Sequence, residues 1–184
     1  MARLNVNPTS MELSNLKKRH EIADRGYKLL KDKQDELMRQ FIVRIKENRM
    51  LRKKVEAELE QAFKDFFLAS GIMLPEMLEE AVSFAEKSRM NVGEKNIMGV
   101  RVPELTAEAP SRLPDAYPYG YVHTTAELDE VLDKLRQILP DLLELAEVEK
   151  ACHLMADEIE KTRRRVNALE HRTLSDLEET MDFI

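Results

Sequence analysis

The sequence predicts a mainly α-helical fold, a long antiparallel two-helix coiled coil with a small knob of β-hairpin and short helix between the helices. Apolar residues recur about every 3.5 positions in two long segments, 1–69 and 124–184, which is the coiled-coil repeat. The intervening segment, 70–123, holds four of the five glycines and five of the seven prolines, which favours turns. Charged residues make up 35% of the chain, so the helices have wide solvated faces. The three segments form one elongated domain in this interpretation.

The first segment predicts one uninterrupted helix from about Pro8 to Ala69. Asn7, Thr9 or Ser10 can cap its start, because their side-chain oxygens accept unpaired backbone N–H groups. A helix of some sixty residues is roughly 90 Å long. Its predicted seam runs through Leu13, Leu16, Ala23, Tyr27, Leu30, Leu37, Phe41, Ile45, Leu51, Val55, Leu59, Ala62 and Phe66.

The middle segment predicts the knob. Residues 75–84 have the composition of a short helix. Residues 96–103 alternate as a strand does, and residues 119–123 are the predicted partner strand.

The third segment predicts a helix that begins at a capping box of Thr124 and Glu127. Pro140 removes one backbone donor and is expected to kink it. Heptad counting from Leu128 to Ile184 places Glu149, Cys152, Ala156, Arg163 and Glu170 among the seam positions.

Polar residues in the two seams allow two interpretations. His20, Gln34 and Asn48 lie on the first stripe. In an antiparallel hairpin Gln34 faces Arg163, and Asn48 faces Glu149. Such pairs fix the register of a coiled coil at some cost in stability. Alternatively, they mark places where the seam opens to a partner protein.

The charge of the chain is uneven. The formal net charge is −6, which argues against a general nucleic-acid binder. Residues 1–33 nevertheless hold eight basic against four acidic residues, whereas 71–123 hold five against eight. The chain contains no apolar run of about 20 residues and starts without an apolar signal core, so we expect no membrane insertion.

Signals of catalysis are absent from the sequence. There is no glycine-rich phosphate loop, and the four histidines are scattered. His153 and Asp157, four residues apart, are too few ligands for a convincing metal site. Cys152 is interpreted as a small buried apolar residue, and as the single cysteine it excludes an internal disulfide. We therefore predict a non-catalytic protein without cofactor or metal.

The densest basic cluster is Lys161-Thr162-Arg163-Arg164-Arg165. Its side chains spread over most of the helix circumference, since each residue turns the helix by roughly 100°. One interpretation is a solvated face with an intrahelical Glu160–Arg164 pair. The second is a contact surface for acidic groups on surrounding chains, and the third, weakest one is a nucleic-acid contact.

Several motifs resemble those of the D subunit of the V/A-type rotary ATPases, in order and over nearly the whole chain. They are Asn5-Val6-Asn7-Pro8-Thr9, residues 25–37 (RGYKLLKDKQDEL), residues 94–100 (EKNIMGV), residues 146–150 (AEVEK) and residues 158–170 (EIEKTRRRVNALE). Ser10 departs from the family, which usually has a basic residue there. The last motif is the most specific.

The resemblance implies a central rotor shaft, without catalytic residues, in the cytoplasmic sector peripheral to the membrane. It implies that the paired helices pass through a ring of catalytic A and nucleotide-binding B subunits. A small F subunit clasps the shaft, and the knob sits in the C (or d) subunit. The ring-facing contacts expected on this basis are basic: Lys17, Lys18, Arg19, Arg25, Lys161, Arg163, Arg164 and Arg165.

A prefoldin-like chaperone is the alternative of another class. That fold also joins two coiled helices through β-hairpins, but it predicts frayed apolar helix tips and self-assembly through the hairpin. The terminal segments here are basic and rich in motifs, which favours the shaft.

Overall fold

The computed structural model describes Leu4 and residues 6–83, 90–107 and 126–184. It confirms the predicted fold class of long helices around a small β-hairpin. The elements in chain order are α1 (Ser10–Ile72), α2 (Pro75–Ser83), β1 (Met90–Ile97), β2 (Val100–Ala107), α3 (Ala126–Ala168), a π-helical stretch (Leu169–Leu174) and α4 (Ser175–Phe183). The predicted strand 119–123 and the cap at Thr124 lie outside the described residues.

Helix α1 begins at the cap that the sequence offers. The hydroxyl of Thr9 accepts a hydrogen bond from the backbone N–H of Glu12 at 3.3 Å. The Thr9 carbonyl accepts a second from the N–H of Leu13 at 3.0 Å. Of the three predicted capping residues, Thr9 therefore caps the helix. No proline follows before Pro75, where α2 begins as predicted.

The hairpin differs from the prediction in its strand boundaries. The stretch 96–103 is not one strand, because β1 ends at Ile97 and β2 begins at Val100. Met98 and Gly99 form the turn with positive φ angles of 53° and 88°. A two-residue turn with positive φ angles matches the right-handed twist of the two strands that it joins. Glycine adopts a positive φ without steric cost.

The chain forms two compact units, and each has two helices packed antiparallel. Unit 1 comprises the chain up to Val43, Met98–Val100 and His153–Ile184; unit 2 comprises Arg44–Ile97 and Arg101–Cys152. In unit 1, His20 binds Glu178 and Lys33 binds Glu158, both at 3.1 Å. Partner numbers fall as residue numbers rise, which is the antiparallel arrangement.

The core of unit 1 is a thin apolar seam. The backbone N–H of Leu4 donates to the Thr180 hydroxyl at 3.1 Å and ties the amino-terminal stretch to α4. Eight residues of this unit's helices are buried: Leu16, Leu37, Met155, Ile159, Thr162, Val166, Leu177 and Thr180.

Unit 2 contains two apolar clusters and the hairpin strands. Met73 and Leu128 form one cluster with Phe66 and flanking residues of α2. Val55, Ala62 and Ile138 form the other. The hairpin docks through buried Val102 and through the Leu105 backbone N–H, which donates to Glu147 at 3.4 Å.

The buried seam of α3 agrees with the heptad count at Leu128, Val131, Ile138, Ile159 and Val166, and it departs by one residue at four positions. At these four, the buried residues are Val148, Ala151, Met155 and Thr162, not Glu149, Cys152, Ala156 and Arg163. A straight α-helix turns by roughly 20° per heptad relative to a strict seven-residue repeat, and a rotation of this size can decide which of two adjacent residues at the edge of the seam faces inward. In α1 the same effect leaves Ile45 exposed, and Arg44 is half-buried instead.

The polar seam residues adopt other partners than those predicted. Glu149 binds Arg52, one helical turn beyond Asn48. Arg163 is exposed, and His20 makes the hydrogen bond with Glu178 described above. Two of these predicted seam residues, His20 and Glu149, therefore hold the helices in register through polar contacts at the edge of the seam.

Helix α3 continues through Pro140 to Ala168. It then passes into the π-helical stretch, in which the Thr173 hydroxyl donates to the Ala168 carbonyl at 3.4 Å. None of the six residues in this stretch is buried. The continuous helix predicted to Ile184 therefore has a local change of helical geometry, a feature that is frequent at functional sites.

Candidate functional site

The eight predicted contact residues all lie on exposed surface of unit 1. Lys17, Lys18 and Arg19 lie in the early turns of α1, just before the residue His20 that binds Glu178. None of the three makes an ion pair or hydrogen bond with another residue in the described part of the chain. Their charges are therefore available to a partner.

Arg25 differs from this group, because it has a partner on its own helix. It binds Glu21 one turn earlier, and Lys28 binds Asp24 at 2.8 Å in the same way. Intrahelical pairs of this spacing stabilise an exposed helix weakly, so a partner's carboxylate can compete for Arg25.

The second basic group lies on α3. Lys161, Arg163 and Arg165 are exposed and have no ion-pair partner among the residues described, whereas Arg164 binds Glu160. Thr162, between them, is 1% exposed and faces the seam. The Glu160–Arg164 pair of the solvated-face interpretation is confirmed, and it accounts for one of the four cations.

Two contacts between the helices of unit 1, His20–Glu178 and Lys33–Glu158, place the basic groups along it. Arg163–Arg165 lie on α3 between Glu158 and Glu178, the residues bound by Lys33 and His20. Arg25 lies between Lys33 and His20 on α1. The two helices therefore present guanidinium groups over the same length of the unit. Such groups can each bind a carboxylate through two parallel hydrogen bonds.

Lys31 adds a further exposed cation to unit 1. The Tyr27 hydroxyl accepts a hydrogen bond from Lys31 at 3.3 Å and raises the pKa of that ammonium group. Lys31 Nζ also lies 5.4 Å from the Tyr27 ring centroid. Lys31 thus remains a cation at neutral pH.

The described residues contain neither a reactive thiol nor a cluster of metal ligands. Cys152 is half-buried, and burial raises the pKa of its thiol, which keeps it protonated at neutral pH. Within the part of the chain that the structure describes, no three His, Cys, Asp or Glu residues lie close enough together to hold a metal ion.

One exposed apolar surface was not predicted. Phe63 and Phe67 of α1 are 62% and 77% exposed, and they border a concavity of about 530 Å³ together with Leu68. Both phenylalanines lie one residue beyond the seam positions Ala62 and Phe66. Large apolar residues that lie next to the seam positions, and not on them, are the sequence signal of such an exposed surface.

Comparison with known proteins identifies the family. A family model for the D subunit of ATP synthase matches residues 12–184. The chain belongs to the ATP synthase D-subunit family. The D subunit of a V-type ATP synthase from Clostridium botulinum (strain ATCC 19397 / Type A) is 60% identical, over 99% of this chain and 86% of its own length. The proteins of the same name from Fusobacterium nucleatum and Clostridium novyi are 59% and 58% identical, over 100% of this chain and 88% and 87% of theirs.

Membership of the D-subunit family confirms the resemblance inferred from the motifs and favours it over the chaperone alternative. The family is that of a rotary ATPase subunit. Among the described helices of this member, none combines the length and apolar character needed to cross a membrane.

Proposed function

We propose that this chain is the central rotor axle of a V/A-type rotary ATPase or ATP synthase. As such it couples ATP hydrolysis or synthesis in a ring of A and B subunits to H⁺ or Na⁺ transport, and it has no catalytic residues itself. One observation carries the proposal. In both units two long helices pack antiparallel along an apolar seam and are cross-linked by ion pairs at its edges. That construction resists twisting.

The partners in this proposal are those that the resemblance to the family implies. The A and B subunits surround the helices, a small F subunit binds the shaft, and the C (or d) subunit receives the knob of α2, β1 and β2. The eight basic residues predicted as contacts, all in unit 1, are the ring-facing contacts. The chain then works in the cytoplasmic sector that is peripheral to the membrane.

The mechanism requires an axle that presents different charges on its different faces. In unit 1, some exposed positions carry cations without a partner among the described residues, such as Lys17 and Arg163, and others carry paired charges such as Arg25–Glu21. Each interface of a surrounding ring then meets a different set of charges as the axle turns. A ligand equilibrium shifts when contacts differ between states, so nucleotide affinity at each interface follows the angle of the axle.

The first experiment removes the α3 cluster. Replacing Arg163, Arg164 and Arg165 by Ala is expected to leave the helices folded, because all three side chains are exposed. In the reconstituted complex we expect ATP-driven ion pumping to fall by about tenfold or more, since three charge-assisted contacts are lost.

The matched control replaces Lys46, Arg49 and Lys53 by Ala. Like the three arginines, these residues are basic and exposed, but they lie in the part of α1 that belongs to unit 2, and they have no partner among the described residues. Full pumping by the control and reduced pumping by the Arg variant support the ring contact. Normal pumping by the Arg variant counts against it.

A second experiment tests rotation itself. Val92 of β1 is 63% exposed, so Val92→Cys in a Cys152→Ser background offers a single attachment point for a bead. With the nucleotide-binding ring fixed to a surface, ATP is expected to drive the bead in one direction. A complex that hydrolyses ATP while the bead only fluctuates would refute the axle.

A further inference from the structure

The amino-terminal part of α1 carries a second stripe on a side that its own core does not use. Met11, Ile22 and Leu29 are 74%, 69% and 70% exposed. Their spacings of 11 and 7 residues bring them to the same face of a helix, since each residue turns the helix by roughly 100°. That face is rotated by roughly 140° from the buried Leu16.

Two basic residues lie on the same stripe. Lys18 follows Met11 by seven residues, and Arg25 stands between Ile22 and Leu29. We call these five residues, Met11, Lys18, Ile22, Arg25 and Leu29, the outer stripe. Their order alternates apolar and cationic side chains at heptad spacing, which is the pattern of a helix that docks lengthwise against a partner.

The chemistry of the outer stripe defines what fits it. The three apolar side chains need sockets about 10 and about 16 Å apart, from the helical rise per residue. Lys18 and its neighbours Lys17 and Arg19, which have no partner within the described residues, need carboxylates around those sockets. A membrane surface fits less well, because the apolar face is narrow and the acidic Glu21 lies beside it.

We infer that the outer stripe docks into an apolar groove rimmed by carboxylates on a partner protein, and that its three apolar side chains supply most of the affinity. The inference rests on the proposed function, in which this partner is the ring of nucleotide-binding subunits. The basic residues then steer the encounter and the apolar residues hold the contact, so the ring contact is not made by charges alone.

The test measures the affinity of the full chain for the purified A and B ring over a range of salt concentrations. The variant Met11→Ser, Ile22→Ser, Leu29→Ser is expected to bind at least about 100-fold more weakly, because three exposed-to-buried transfers are lost. The slope of log Kd against log salt is expected to stay unchanged. Replacing Lys17, Lys18 and Arg19 by Ala is expected to reduce that slope instead.

The chain offers a closely matched control. Met50, Leu68 and Ile72 of α1 have the same three residue types and are 74%, 65% and 66% exposed. Replacing these three by Ser is expected to leave ring affinity within about threefold of the wild type. Circular dichroism of both triple variants is expected to match the wild type, since all six side chains are exposed.

Each other outcome overturns the inference. Wild-type affinity in the Met11, Ile22, Leu29 variant, or an equal loss in the control, refutes the apolar docking but leaves the axle in place. A wild-type chain that does not bind the ring at any salt concentration refutes the proposed function as well. Binding to vesicles of phosphatidylserine and phosphatidylcholine that the Ser variant loses would assign the stripe to a lipid surface instead.

Discussion

Two buried threonines differ in how their hydroxyl groups are satisfied. Thr180 is 1% exposed, accepts the Leu4 N–H and donates to the Asp176 carbonyl at 2.6 Å. Thr162 is equally buried, but its hydroxyl has no hydrogen-bond partner among the residues described. A buried polar group without a partner loses its hydration and gains nothing in return. Thr162 thus weakens the seam where Thr180 strengthens it.

Replacing Thr162 by Val is therefore expected to raise the free energy of unfolding by about 1 kcal/mol, because the shape stays the same and an unsatisfied hydroxyl is removed. The same change at Thr180 is expected to lower it by about 1–3 kcal/mol, because the Leu4 N–H and the Asp176 carbonyl lose their partner. Urea denaturation of the full chain measures both.

The variant Thr162→Ser separates the hydroxyl from the methyl group. It keeps the unsatisfied hydroxyl and removes a buried methyl, so it is expected to be less stable than the wild type. A loss of stability in Thr162→Val would contradict the assignment of an unsatisfied hydroxyl.

At the scale of secondary-structure elements, ion pairs hold α1 and α3 of unit 2 in register with each other. Asp65 binds Lys134, and Lys54 binds Asp141, each at 2.7 Å. The hydrogen bond from Lys134 holds the pKa of Asp65 below its usual value of 3.8, although partial burial opposes this. The same bond raises the pKa of Lys134 above 10.5. Both groups therefore prefer their charged forms in the folded unit.

The directions of these two pKa shifts determine how the stability of the folded unit changes with pH. A lowered carboxyl pKa stabilises the folded state above pH 3.8, and this stabilisation is lost as the pH falls through the folded pKa of Asp65. A raised ammonium pKa stabilises it below pH 10.5 and is lost as the pH rises through the folded pKa of Lys134. We expect Lys134→Met to be less stable than the wild type between these limits and to converge with it at low pH.

Chemical denaturation between about pH 2 and about pH 8 checks this expectation, with Lys53→Met as the control. Lys53 is exposed and has no partner within the described residues, so its removal is expected to leave the pH profile unchanged. A constant difference between Lys134→Met and the wild type down to the lowest pH would show that the Asp65 pair does not act through its charge.

At the scale of the whole molecule, one part of the described surface carries a group of exposed large apolar side chains. The carboxyl-terminal turns of α1 expose Phe63, Phe67, Leu68 and Ile72, each by more than 60%. Contiguous exposed apolar surface of this kind marks an interaction site or an aggregation hazard. The isolated chain is thus expected to self-associate through these turns.

Replacing Phe63 and Phe67 by Ser is expected to reduce self-association of the isolated chain and to change its stability by less than about 0.5 kcal/mol. The control is Phe66→Ser, because Phe66 packs against the cluster of Met73 and Leu128. That change is expected to cost about 2 kcal/mol or more. Sedimentation velocity and denaturation of the three proteins decide between surface and core roles.

Local features of the sequence determined the helices, their antiparallel pairing and the start of α1. Periodicity, Thr9 as a cap and Pro75 as a helix start act over a few residues, so they can be recognised without the fold. The turn at Gly99 was missed because β-alternation continues across it, and only a positive φ distinguishes a turn from a strand there.

Only the tertiary structure decided which of two adjacent residues faces the seam and which side chains remain exposed. Val148 faces the seam rather than Glu149, and Thr162 rather than Arg163. A small rotation of the helix separates these alternatives, and packing against the second helix selects one of them. Exposure of Met11, Ile22 and Leu29 likewise depends on what the second helix covers. The sequence by itself determined the family and the helices, and packing determined the surface that those helices present.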